Sequence, residues 1–449
     1  MPRERITTEH SPESWENEVK KYEMGEVVDI YARSSYPELI KREKELAEMI
    51  GAPDAALFNS GMAAIHTAVE AENLKSGDVV LCGRDVYSQT KKIYESLEKR
   101  GVKIIKIDSG DMEEVKKEIE KEKPRLIILE IVANSPQMQV CDIKSLAEMT
   151  EGVNKKYQKE FTPDKILDNY FSKRKNYKDL PIEIKEKILS EIEEFKIGNN
   201  PFIFREGIRI LENETKLPRK EAIREMSRLV KNVISQSRGK LSLIIDNTLS
   251  SPVLHNPLRD LKGHDIEAVV VESGTKHYQE GEDKITLGIS YSNDLEKIKK
   301  IKEKRTEIGT YLQPMDEKKI PARITKTMPD IMKRHAENAL ELAKLLSGSK
   351  KVLEVSHPNL PEHKQNELAK EIAPEGLVTL FYLMVENAPE FVKKVKELGG
   401  DKIGVGGSFG HKKTWLFNMG QNQIRIAAGS ESEEEFKEIS NIFEIALEK

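Results

Sequence analysis

The chain has 449 residues, of which 38% are hydrophobic and 33% charged, with a formal net charge of −4. That length argues for two domains of ordinary size, and the near balance of charge gives no field to draw nucleic acid or anionic lipid. Two cysteines, Cys82 and Cys141, are too few for a disulfide framework or a four-thiolate metal site. No run approaches the ~18 apolar residues of a membrane span, and Met1 to His10 lacks an apolar signal core. A cytoplasmic protein is expected, with no bound metal and no membrane or nucleic-acid partner.

Residues 1–50 are polar, with a helix expected over Tyr36 to Ile50 after Pro37. From about 51, short apolar runs alternate with amphipathic stretches. The expected strands are Ala55–Phe58, Val79–Leu81, Lys103–Ile107, Leu126–Ile131, Leu241–Ile245 and Ala268–Val271. Several are apolar throughout, as strands covered on both faces are. With helices such as Met62–Leu74 and Gln89–Arg100 between them, the pattern is α/β with a mostly parallel sheet.

A charged helical interval at about 151–217 breaks the rhythm. Thr162-Pro163-Asp164 and Leu180-Pro181 read as helix starts. Ile182, Ile184, Ile188, Leu189 and Ile192 would form one apolar stripe. This is expected to be an inserted helical subdomain on a crossover connection. It is either a lid, oligomer contact or partner site, or a neutral elaboration. After Lys300 a smaller α/β unit follows, with a long helix around Met328–Leu346. The expected division is 1–50, then 51–305 with the insertion, then 306–449.

Four elements carry chemistry. The apolar run Val269-Val270-Val271 is followed by Glu272-Ser273-Gly274-Thr275-Lys276, which places a lysine just past a buried strand. Partial desolvation there would depress the lysine pKa and free its amine. Leu243-Ile244-Ile245 ends in Asp246, whose carboxylate would sit at the carboxyl edge of the sheet. Asn59-Ser60-Gly61-Met62 opens a helix, and the backbone N–H groups of Gly61 and Met62 suit a phosphate. Tyr87 follows another strand and could stack on a ring. Alone, each is ordinary: a loop lysine, a turn aspartate, a helix cap, a packing tyrosine. Together they are the amine, carboxylate, phosphate cradle and aromatic ring that pyridoxal 5′-phosphate (PLP) needs from a protein.

In this order the elements resemble the Cys/Met-metabolism PLP enzymes, the cystathionine γ-synthase, γ-lyase and methionine γ-lyase relatives. Tyr31-Ala32-Arg33 matches the family's YxR, Ser60-Gly61-Met62 its SGM, Asp246-Asn247-Thr248 its aspartate motif, and Ser273-Gly274-Thr275-Lys276 its SxTK. The resemblance implies an aspartate-aminotransferase-like fold and a PLP Schiff base on Lys276. It implies Asp246 on the pyridine nitrogen and Tyr87 stacked on the ring. Ser60, Gly61, Met62, Ser273 and Thr275 would hold the phosphate. Tyr31 and Arg33 would reach a neighbouring subunit's phosphate from an N-terminal arm, in a homodimer or homotetramer. Asn134, in Glu130-Ile131-Val132-Ala133-Asn134, and Arg425, in Ile424-Arg425-Ile426, would bind the substrate α-carboxylate.

The resemblance implies cleavage of a C–S bond in a methionine-, homocysteine- or cystathionine-like amino acid by β- or γ-elimination. The alternatives are a γ-synthase joining cysteine or sulfide to an activated homoserine ester, or a non-catalytic PLP-binding scaffold acting through the insertion. Departures bear on the substrate. Ser135 separates Asn134 from Pro136, and Gly281-Glu282 stands where the family has GH. Gly404-Val405-Gly406-Gly407 stands where the family has SLGG, without its serine hydroxyl. Ile403 stands where cystathionine-using members often carry glutamate, which tilts the expectation towards methionine or homocysteine.

Overall fold

The structure, a computed structural model, describes residues 11–23, 31–160, 163–173, 180–198, 205–236 and 240–448. The expected cap Thr162 lies outside these. The chain forms two compact units, one of Met1–Glu148 with Ser242–Lys449 and one of Met149–Leu241. The expected C-terminal domain, 306–449, carries its own sheet and belongs to the first unit.

Twelve strands run in chain order: β1 Asp54–Phe58, β2 Val79–Gly83, β3 Lys103–Ile107, β4 Leu126–Glu130, β5 Ser242–Asp246, β6 Glu267–Ser273, β7 Gly288–Ser292, β8 Val352–Ser356, β9 Leu380–Val385, β10 Gly404–Val405, β11 Trp415–Asn418 and β12 Gln423–Ala427. The large sheet has the order β1-β7-β6-β5-β4-β2-β3. Its β2, β3, β4, β5 and β6 are parallel, and β7 runs antiparallel to both neighbours. β7 was not expected from the sequence. Its run Gly-Ile-Ser-Tyr-Ser alternates small polar with apolar residues, yet every position is buried. Elsewhere the expected strands match to within a residue or two. β4 is buried at all five positions, as a strand covered on both faces must be.

Two glycines let the backbone close at the carboxyl edge of this sheet. Gly288 pairs with Phe58 on one side and Ser273 on the other, and a Cβ there would stand 2.1 Å from the Ser60 carbonyl oxygen. A Cβ on Gly61 would stand 2.8 Å from Ser273 Cβ. The chain segments after β1 and β6 thus meet where no side chain fits.

The smaller sheet has the order β10-β11-β12-β9-β8. Its core joins Phe381, Leu383, Ile424 and Ile426 to the long helix Ile324–Ser347 and the helices Ala388–Gly399 and Glu433–Glu448. The long helix carries His335 and Asn338. Their side chains reach the carbonyls of Ala428 and Gly429, at 2.7 and 3.0 Å, and pin the end of β12.

The Met149–Leu241 unit contains the helices Pro163–Ser172, Ile182–Gly198, Arg205–Thr215 and Arg219–Gln236. Leu167, Phe171, Ile188, Ile192, Leu211, Met226 and Leu229 form its core. Of the expected stripe, Ile188 and Ile192 are buried and Ile184 and Leu189 pack against the core. Ile182 is instead 69% exposed, because it stands at the first position of its helix rather than on the inward face. The Asn154 side chain brackets Leu241 at the end of this unit. It accepts from the Leu241 N–H at 2.6 Å and donates to the Leu241 carbonyl at 3.2 Å. Among the described residues no helix is long and apolar enough to cross a membrane.

The helix Pro37–Ile50 is tied to β1 by a buried charge cluster. Glu43 accepts from the Arg305 guanidinium, from Lys302 at 3.0 Å and from the Leu57 N–H at 2.9 Å, while Arg305 donates to the Leu57 carbonyl at 2.8 Å. Removing one partner leaves the other buried and unpaired. Glu43→Ala should therefore destabilise the protein by about 3–5 kcal/mol, read as a lower guanidinium midpoint. An unchanged midpoint would contradict this.

Candidate active site

The carboxyl ends of β4, β5 and β6 bring Glu130, Asp246 and Lys276 to one edge, the position where open parallel sheets bind ligands. A cavity of about 250 Å³ opens there. Ser60, Gly61, Met62, Tyr87, Asn134, Asp246, Ser273, Thr275, Lys276 and Arg425 all line it. Tyr31 and Arg33 do not. They are exposed and lie against each other, the guanidinium 5.5 Å from the ring.

Ser60 caps the helix Gly61–Ala71, its hydroxyl accepting from the Ala63 N–H at 3.1 Å. The N–H groups of Gly61 and Met62 belong to the first turn and have no intrahelical acceptor. Thr275 is less free: its hydroxyl accepts from the Leu287 N–H at 2.9 Å. The Ser273 N–H donates to the Thr248 hydroxyl at 2.9 Å, which joins the ends of β6 and β5.

Asp246 accepts the Thr248 N–H at 2.8 Å, and burial pushes its carboxyl up to about 6. Its registered neighbour is Glu130. Burial, together with the Asp246 charge, pushes Glu130 up to about 8. Glu130 accepts the Tyr87 N–H at 2.6 Å and the Asn134 N–H at 3.0 Å, and so holds two cavity loops at once. Glu272 is also pushed up to about 8, chiefly by burial. It accepts from the hydroxyls of Tyr278 and Tyr291, at 2.7 and 2.5 Å. Among the described residues no basic side chain pairs with Asp246. Buried charge calls for a partner, and a ligand with a protonated ring nitrogen would supply one. With the first-turn N–H groups for a phosphate, the cavity residues fit PLP.

Lys276 Nζ lies 2.9 Å from Ser408 Oγ. Burial lowers its pKa, Asp283 opposes the shift and Arg425 adds to it. Arg425 sits between two rings, its guanidinium carbon 5.6 Å from the Phe409 centroid and 5.3 Å from that of Phe417. Its Nη2 donates to the Gly407 carbonyl, and its Nε is buried without a partner among the described residues.

One expectation is corrected. Ile403 does not face the cavity. It is fully buried in the core of the small sheet, so it does not choose the substrate. Gly404 packs on Trp415, where a Cβ would come within 2.3 Å of the indole. A hydroxyl does stand at the lysine itself, that of Ser408, four residues on from Gly404. Sequence reading missed Ser408, Phe409 and Glu130 as site residues. Glu130 ends an apolar strand just as Asp246 does, and the same signal would have found it. Nothing local marks Ser408 or Phe409.

The raised Asp246 carboxyl has a consequence for stability. An unfolded aspartate ionises near ~4. Between that value and about 6 the folded protein keeps a proton that the unfolded chain has released, so stability falls as pH rises through this window. Cofactor-free Asp246→Asn should be more stable than cofactor-free wild type near pH ~8 and match it near pH ~4. Denaturant unfolding at both pH values checks this, and a less stable variant at the higher pH would contradict it.

The chain is similar to known proteins over most of its length. A cystathionine beta-lyase of Coxiella burnetii is 25% identical over 344 residues, 76% of this chain and 64% of that protein. A cystathionine gamma-synthase of Escherichia coli is 33% identical over 124 residues, 27% of this chain and 31% of that protein. The match thus spans less than two thirds of either relative. The crystal structure of a Lactobacillus plantarum cystathionine gamma-lyase complexed with L-serine superposes with a TM-score of 0.69 at 17% identity. It covers 100% of this chain and 93% of the other, and shows a shared fold. The profile of one family matches residues 8–178 and 218–415, leaving out part of the helical unit. By that match the chain belongs to the Cys/Met metabolism PLP-dependent enzyme family.

Proposed function

We propose that this protein is a PLP-dependent carbon–sulfur lyase of sulfur amino-acid metabolism, acting on methionine-, homocysteine- or cystathionine-like substrates by β- or γ-elimination. The observation that carries the reading is the convergence of Lys276, Asp246 and Arg425 on one cavity. When bound, PLP supplies an electron sink for charge released at the substrate Cα. The chain's residues do the rest. Lys276 is the amine that holds the cofactor covalently. Its lowered pKa favours the neutral form that attacks a carbonyl and later moves the Cα proton. Asp246 accepts the ring nitrogen's proton in a hydrogen bond. Ser60, Gly61, Met62, Ser273 and Thr275 take the phosphate. Tyr87, 46% exposed at the cavity rim, stacks on the ring and assists the leaving thiol.

Arg425 and Asn134 fix the substrate carboxylate and thereby the bond to be broken. Tyr31 and Arg33 stand exposed and outside this chain's cavity. That supports their serving a neighbouring subunit's phosphate in a cytoplasmic dimer or tetramer. The similarity to the E. coli γ-synthase supports a second reading, γ-replacement on an activated homoserine ester.

A panel of cystathionine, methionine, homocysteine, cysteine and O-acylhomoserines, with oxo-acid and thiol release followed together, tests the proposal. A lyase releases 2-oxobutyrate or pyruvate with ammonia from one substrate, and Lys276→Ala abolishes release. Turnover only with a second nucleophile would select the synthase reading. No turnover of any panel member by the PLP-loaded protein would sink both.

A further inference from the structure

We propose that Tyr382 is a positioning residue whose hydroxyl holds the Asn134 side-chain amide with its NH₂ group towards the cavity, giving the substrate carboxylate a second donor beside Arg425. This rests on the catalytic reading above. Three residues form a row across the small sheet: Phe417 on β11 is registered with Arg425 on β12, and Arg425 with Tyr382 on β9. Tyr382 is 2% exposed, and its hydroxyl lies 3.0 Å from Asn134 Oδ1.

The donor and acceptor inventory sets the direction of that bond. A guanidinium carries donors only. The Tyr382 hydroxyl beside it turns its oxygen to the cation and its hydrogen away, so the O–H donates to Asn134 Oδ1. A carboxamide has one accepting and one donating end. With Oδ1 taken, the NH₂ end is the one left for a ligand. The Asn134 backbone is fixed as well, through its N–H to Glu130. Arg425 is held between Phe409 and Phe417 and keeps an unpartnered Nε. Both residues line the cavity. Among the described residues no other group holds the Asn134 amide, so without the hydroxyl its orientation before ligand binding would be unfixed. The reversed amide would turn an oxygen at the carboxylate.

The test titrates PLP-loaded protein with glycine and with methylamine, following the cofactor's visible spectrum. Methylamine carries no carboxylate. Tyr382→Phe keeps the buried ring, and should weaken glycine about tenfold while leaving methylamine unchanged. In an Asn134→Ala background the same substitution should have no further effect on glycine. Equal losses for both probes would assign the hydroxyl to general packing and overturn the proposal. So would unchanged glycine affinity, or a loss that persists without Asn134. A wild-type spectrum that answers neither amine would overturn the catalytic reading beneath it.

Discussion

A half-buried carboxylate with no basic partner among the described residues is the constraint on which this molecule turns. Asp246 ends a strand whose other positions are fully enclosed, and burial raises its pKa. The Asp246 charge in turn adds to burial in holding the neighbouring Glu130 protonated, since two acids side by side cannot both ionise cheaply. A fold built for stability alone would place apolar side chains there. A cationic ring nitrogen would balance the arrangement, and the family's cofactor carries one.

The rest of the site follows from holding loops around that acid. Glu130 fastens the loops bearing Tyr87 and Asn134. Thr248 joins the ends of β5 and β6. Gly61 and Gly288 allow the chain after β1 to lie directly on Ser273, which brings a helix N-terminus beside Lys276. The small sheet contributes from the other side through Arg425, stacked between two phenylalanine rings, and Ser408 at the lysine. Each contact spends stability or backbone freedom to keep polar groups aimed at one space, as pre-organised sites do.

What could be read from the sequence was what short segments encode. Apolar runs marked β4, β5 and β6 because strands covered on both faces need few polar residues. The acid and the lysine just past such runs were legible for the same reason. β7 was not, because its apolar positions alternate with serines that are nonetheless buried. Ile403 was misjudged through a motif comparison, where only the packing shows which side of the chain faces the core. Ser408 and Tyr382 act through partners 132 and 248 positions away, and no local pattern announces such pairs.

The central claim, that Lys276 is the cofactor's anchor, is tested most directly by reducing the PLP-loaded protein with borohydride and mapping the modified peptide by mass spectrometry. The account predicts one phosphopyridoxyl group, on Lys276. A label on a different lysine, or none after full loading, would contradict it.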